Sequence, residues 1–466
     1  MSINLETNSP QPEIDFSTAQ IDNTLLPKKD SERNVGALAY MFMWLGDGVN
    51  LGNMTLGASI VVVGVATLNL LQTFLAAIVA IGIITSVFLL NDQFAYKTGV
   101  PYVVQLRMAF GTKGTIVSSL MRGIPAIVWY GFQTWLGGTA LNEIVKVITD
   151  GAFDNIFICF ILLQVLQIVL SLYGFHAIKI VETIVSIVIL AAFIYVFIIL
   201  LGNYSDVILQ NWVKVEGSWG LPFWSIVMVF MGNYAAIFLS AGDYSRELKK
   251  GNGVVKRGFM YFTPIMLAYG SVLAIGAMLA AATGISNPVK AFAVVIDNTY
   301  ISVFVNVFII LGVIGVNMVA NIIAPTYVIQ SLTKMKYKPA VIITGLLGMC
   351  SFPWVLVQDS SSEGLAVFIL IYSAFLGPIV SILIVDYFII RKQNVSVEEL
   401  YNLEGQFKGY NNSAIIAMLI GAFAAFLFVK LAWIIGLIIG GLSYYLLMKY
   451  TNKGSDFKKG TIFENN

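Results

Sequence analysis

The chain has 466 residues, 58% of them hydrophobic and only 11% charged, with a formal net charge of +2 and a mean hydropathy of +0.84. Those values exclude a soluble globular protein and define a polytopic helical membrane protein. Cys159 and Cys350 both sit in apolar runs and read as reduced packing residues, which suggests neither a disulfide framework nor a metal site.

The first 35 or so residues are polar and contain no apolar signal-peptide core, so the first span is expected to direct insertion itself. Apolar runs long enough for a ~30 Å hydrocarbon core then predict twelve transmembrane helices. They fall at about 36–65, 67–91, 115–141, 153–173, 177–202, 219–243, 258–283, 300–328, 339–357, 364–390, 412–430 and 432–449. The expected organisation is a cytoplasmic tail over 1–35, a ten-helix core over 36–390 and a cytoplasmic loop over 391–411. Two peripheral helices over 412–449 and a tail over 450–466 complete it. With the amino terminus inside, only Lys146, Lys214, Lys290 and Lys430 of the 27 Lys and Arg residues fall on the outer side. That asymmetry satisfies the positive-inside rule and places both termini in the cytoplasm of a cell-membrane protein.

Two of the spans are interrupted. The first contains Trp44-Leu-Gly-Asp-Gly-Val-Asn50-Leu-Gly52 and the sixth contains Met231-Gly-Asn-Tyr234. Backbone groups freed in hydrocarbon cost on the order of several kcal/mol each, so such breaks persist where the freed groups line a cavity. Discontinuous helices 1 and 6 are therefore expected. Their odd offset of five spans predicts two inverted repeats, about 36–202 and 219–390, with the ligand and ion sites of a secondary transporter at the breaks.

The third span places Trp129 and Gln133 one turn apart on one helix face. An indole plane beside an amide suits a flat polar heterocycle, which would stack on the ring and hydrogen-bond along its edge. The competing reading is an interfacial Trp with Gln packing between helices. The eighth span puts Asn317 and Asn321 on one face, either for a ligand or as interhelical hydrogen-bond partners. Asp47, in the first break beside Asn50, is open to three uses: proton carrier, cation ligand, or cap of the second half-helix.

Other charges read as anchors: Lys179 with Glu182, Asp243 with Arg246, and Asp386 with Arg391, while His176 is expected in a solvated loop. The chain has no Walker-type loop and no convergent nucleophile or carboxylate pair, so neither ATP-driven pumping nor an enzyme is expected.

The order and spacing of several motifs between Ala37 and Lys392 resemble the first nucleobase–cation symporter family, whose members carry hydantoins, allantoin, cytosine, uracil and other purine and pyrimidine compounds. The motifs are Trp44-Leu-Gly, Gly99-Val-Pro101, Arg107-Met-Ala-Phe-Gly111, Trp129-Tyr-Gly-Phe-Gln133-Thr, Gly232-Asn-Tyr-Ala, Asp243-Tyr-Ser-Arg246, Asn317-Met-Val-Ala-Asn321 with Pro325, and Asp386-Tyr387. The resemblance implies an all-α, leucine-transporter-like fold of five-plus-five inverted repeats with two trailing helices. It implies a stacking role for Trp129, ring hydrogen bonds from Gln133 and Asn321, and a substrate site that also includes Asn233, Tyr234 and Asn317.

Tyr234 stands where hydantoin-type members carry a second stacking tryptophan, so a bulky aryl-substituted hydantoin is disfavoured. Gly315 and Val316 stand where sodium-dependent members carry hydroxyl residues that complete a sodium site with first-helix carbonyls. A hard cation needs several oxygen ligands, so a proton is preferred to sodium as coupling ion. Asp47, Asn50, Gly315 and Val316 mark the cation side. The expected partners are a small heterocyclic substrate, the coupling cation and the bilayer, with no nucleic acid and no cofactor, and a monomer is the expected unit. An amino-acid or amine carrier of the same fold is the alternative.

Overall fold

Backbone buried in lipid must satisfy its own hydrogen bonds, and the described chain does so almost wholly as helices. The computed structural model describes residues 23–62, 68–173, 191, 193–214, 216–285, 288–296, 298–356, 362–451 and 455–464. The helices that build and frame the site are α1 (Ala37–Gly48), α2 (Leu51–Val62), α3 (Leu70–Thr98), α4 (Thr115–Ile148), α5 (Leu221–Leu239), α6 (Ala241–Ser245), α7 (Ser271–Thr283), α8 (Thr299–Val316), α9 (Ile323–Thr333) and α10 (Ser362–Ile384). His176, Lys179 and Glu182 lie outside the described residues, as do residues 1–22 and most of the expected fifth span.

Among the described residues, seven helices are long and apolar enough to cross a bilayer, and Phe193–Asn203 with Ser205–Trp212, bent by 89°, makes an eighth candidate. Two shorter apolar helices are Ile156–Ser171 and Asn412–Leu427. The helix α4 has ample length at 34 residues. Its middle is diluted by Arg122, Gln133, Thr134 and several glycines, because this helix faces a polar cavity.

Local chemistry sets the helix ends. The Asn69 side chain accepts from the Gln72 backbone N–H at 2.9 Å while Gln72 reaches back to the Asn69 backbone, a reciprocal cap on α3. At the other end Gly99 takes φ +78°, and its N–H bonds to the Ala95 carbonyl at 2.7 Å. Helices α2 and α7 cross closely through glycines. A Cβ on Gly57 would lie 2.1 Å from the Leu273 carbonyl oxygen, and one on Gly276 would lie 2.1 Å from that of Met54.

The first interruption is a break. α1 stops at Gly48, Val49 adopts φ −92° and ψ 83°, and α2 resumes at Leu51. Two side-chain amides stand in for the missing backbone partners. Asn50 Nδ2 donates to the Asp47 carbonyl at 2.9 Å, and the Asn53 backbone N–H donates to Asn50 Oδ1 at 2.8 Å. Asn53 Nδ2 donates to the Gly48 carbonyl at 2.9 Å. Side-chain amides thus take up polar backbone groups that the break frees.

The second interruption is different: α5 runs unbroken through Met231-Gly-Asn-Tyr234, contrary to expectation. Gly232 serves close packing, since a Cβ there would meet Ser373 Oγ at 2.5 Å and Ile369 at 2.9 Å. Asn233 is satisfied by a neighbouring helix, donating to Asn53 Oδ1 at 2.7 Å. Helical geometry is lost further on, at Ser240 (φ −94°, ψ 26°), before the short α6. α8 continues through a wide, π-type turn at Asn317–Ile322 into α9.

Asp243 and Arg246 anchor separate turns: Asp243 Oδ1 accepts the Tyr102 backbone N–H at 2.8 Å, and Arg246 Nη2 donates to the Leu26 carbonyl at 2.8 Å. Both side chains are spent on holding turns together. Cys350 is exposed, because its helix ends at Met349 and leaves it at the surface, whereas Cys159 is buried. Asp386 and Arg391 do pair, at 2.8 Å.

Candidate functional site

α4 is the spine of the site. Its i, i+4 spacing stacks Trp129 and Gln133 on one face, and both are buried well inside the protein. They face the α1–α2 break across a narrow polar cavity of about 30 Å³. From the break come Asp47, Asn50 and Asn53, and from α5 come Asn233 and Tyr234. Val316 at the end of α8 and Asn321 in the following turn close the fourth side. Gly52 allows this approach, since a Cβ there would meet Gln133 Nε2 at 2.9 Å and the Trp129 ring at 3.1 Å.

The polar walls bond to each other. Gln133 Nε2 donates to Asn50 Oδ1 at 2.9 Å, while Gln133 Oε1 is buried without a hydrogen-bond partner. Asn321 Nδ2 donates to Asn317 Oδ1 at 2.9 Å. Asn317 itself sits behind the wall, donating to Gln167 Oε1 at 2.7 Å and Thr134 Oγ1 at 3.0 Å. It orients Asn321 and does not line the cavity. Gly315 is likewise buried off the cavity.

Trp129 is fixed by its edges. Its ring meets Phe132 edge-on with centroids 5.3 Å apart, and its Nε1 donates to the Tyr372 hydroxyl at 3.3 Å. Tyr372 passes the bond on, donating to the Gly232 carbonyl at 3.0 Å. The Tyr234 ring packs against Tyr269, with centroids 4.8 Å apart. Its hydroxyl lies within electrostatic reach of the Asp47 carboxyl. Neither the hydroxyl nor Asp47 Oδ1 has a partner in good hydrogen-bond geometry.

Arg122 and Asn53 were missed in the sequence. Arg122 is a charge inside the third span, itself a functional signal, and its position on α4 puts it at the cavity. Asn53 lies one turn beyond Asn50, and only the folded break shows what the pair does. Among the described residues no group of three His, Cys, Asp or Glu side chains could hold a metal ion.

An all-helical membrane chain whose amide-lined cavity sits at a mid-span helix break has the architecture of a permease. The sequence profile described as permease for cytosine/purines, uracil, thiamine, allantoin matches residues 27–448, and the chain belongs to this nucleobase–cation symporter family. It is 27% identical to the hydantoin permease of Microbacterium maritypicum, over 94% of this chain and 91% of that protein. It is 26% identical to the allantoin permease of Bacillus subtilis, over 91% and 92%. Its fold is similar to that of Mhp1, a nucleobase-cation-symport-1 family transporter solved in a closed conformation with bromovinylhydantoin bound. That match has a TM-score of 0.82 and 23% identity, covering 95% of this chain and 100% of Mhp1. A Na+-coupled sialic acid symporter shares the fold more distantly, with a TM-score of 0.64 and 12% identity, over 90% and 92% of the chains.

Proposed function

We propose that this permease takes up a nucleobase or related planar nitrogen heterocycle, of the cytosine, uracil, purine, allantoin or hydantoin type, by symport with a cation. The observation that carries the reading is the buried, unpartnered Gln133 Oε1 one helical turn from the Trp129 ring. A buried acceptor without a donor costs roughly 1–3 kcal/mol, which a ring N–H would relieve while the ring stacks on the indole. Asn321, Asn233 and Asn50 offer further donors and acceptors along the ring edge, and Asn317 positions Asn321.

A ring must displace the Gln133–Asn50 bond to enter, which links binding to movement of the α1–α2 break. The working topology is twelve spans in a leucine-transporter-like, five-plus-five inverted repeat, with both termini in the cytoplasm of a cell membrane and a monomer as the unit. Spans one, two, six and seven rock against three, four, eight and nine around the site.

The proton is the preferred coupling ion, with Asp47 as its carrier. Val316 meets the cavity with an apolar side chain and Gly315 has none, so α8 adds no side-chain oxygen for sodium. Uptake of radiolabelled cytosine, uracil, allantoin and hydantoin into proteoliposomes, with sodium and pH gradients imposed separately, tests both parts. Uptake of an amino acid in place of every heterocycle would overturn the substrate class, and a sodium requirement would overturn the ion.

A further inference from the structure

Arg122 has no role in that reading, yet it is a wholly buried cation at the cavity. It lies on α4 about two turns to the cytoplasmic side of Trp129. Among the described residues no carboxylate is within ion-pairing distance of it. Its hydrogen bonds go to neutral oxygens, Nε donating to Ser240 Oγ at 3.0 Å and Nη2 to the Ala320 carbonyl at 3.0 Å, while the Asp47 and Asp243 carboxyls lie within electrostatic reach.

Both acceptors exist because helices are irregular there. Ser240 is the residue at which α5 loses helical geometry, and Ala320 lies in the wide turn after α8. The Ser240 hydroxyl leans back on the Ala236 and Ile237 carbonyls at 3.4 and 3.3 Å, which directs a lone pair at the guanidinium.

We infer that Arg122 is the inner gate of the cavity: the Arg122–Ser240 bond ties α4 to the end of α5, and it must break before the cavity opens to the cytoplasm. This rests on the alternating-access reading above, in which span six moves relative to span three. A charge-assisted bond is strong in a dry site and weak once water can solvate the guanidinium. Closure is therefore stable while water is excluded, and water entry favours opening. On the same helix Trp129 is tied to α10 and α5 through Tyr372 and the Gly232 carbonyl, at 3.3 and 3.0 Å.

The test reads accessibility, without substrate, in the full-length protein in inside-out vesicles. Cys159 and Cys350 are replaced by Ala, Ala126→Cys serves as reporter on the cavity wall, and a membrane-impermeant maleimide is added at the cytoplasmic face. Ser240→Ala removes the crossing bond and keeps Arg122 with its Ala320 contact. It is expected to raise the labelling rate roughly two- to tenfold, the equilibrium weight of one hydrogen bond. Arg122→Gln is expected to raise it at least as much. Labelling at the parental rate in Ser240→Ala overturns the assignment, whether or not Arg122→Gln is labelled faster or accumulates in the membrane. The measurement can fail while heterocycle uptake stands, and uptake can fail while the gate stands.

Discussion

Gln133 Nε2 donates to Asn50 Oδ1 at 2.9 Å, joining the middle of α4 to the break between α1 and α2. The two ends of the Gln133 amide therefore differ: its nitrogen is bonded to the break, and its oxygen is buried without a partner. Gln133→Leu removes both. It should raise the KM for heterocycle uptake about fivefold or more, from the loss of about 1–3 kcal/mol of polar contact. A KM within twofold of the parent in proteoliposomes would mean that Gln133 is only an interhelical spacer.

In the proposed function Trp129 provides the ring face. Stacking a base on an aromatic side chain contributes roughly 1–3 kcal/mol, so Trp129→Ala should weaken binding about tenfold or more. Trp129→Phe should retain most of the affinity. Intrinsic fluorescence gives a second readout: a bound nucleobase should quench the parent protein, and the quench should largely vanish in Trp129→Phe. Undiminished quenching in that variant would place the ring elsewhere.

Asp47 is assigned the proton. Asp47→Asn keeps the shape of the break, whose hydrogen bond to Asn50 uses the Asp47 backbone carbonyl rather than its carboxyl. The variant should still bind the heterocycle and exchange it across the membrane. Accumulation driven by an inward proton gradient should be lost. If Asp47→Asn concentrates substrate with its pH dependence intact, the carboxyl is a helix cap and the coupling group lies elsewhere.

Close helix packing gives a prediction that does not depend on transport. A Cβ on Gly276 meets the Met54 carbonyl oxygen at 2.1 Å, and backbone cannot turn aside as a side chain can. Gly276→Ala should lower stability by about 1–3 kcal/mol, read as a lower melting temperature in detergent. Gly82, in the apolar stretch of α3, has nothing within 4 Å of its Cβ position. Gly82→Ala should leave the melting temperature unchanged or raise it slightly.

The amino-acid sequence alone determined that the chain spans a membrane, that the first span breaks near Asp47 and Asn50, and that Trp129 and Gln133 share a helix face. These follow from short-range physics: apolar run length, the cost of freed backbone in lipid, and the 3.6-residue period. Tertiary structure decided the rest, because the same residue types serve packing or binding according to what lies opposite them. Gly232 and Asn233 look like a break in isolation. Ser373 and Ile369 against the one, and Asn53 bonded to the other, make them part of a continuous helix. Asn317 and Asn321 are equivalent by spacing, yet Gln167 and Thr134 draw Asn317 away and leave Asn321 at the cavity. Arg122 is a single letter in a third span until Ser240 and Ala320, distant in sequence, are brought to its guanidinium. Long-range partners of this kind are set by helix packing, which local periodicity does not encode.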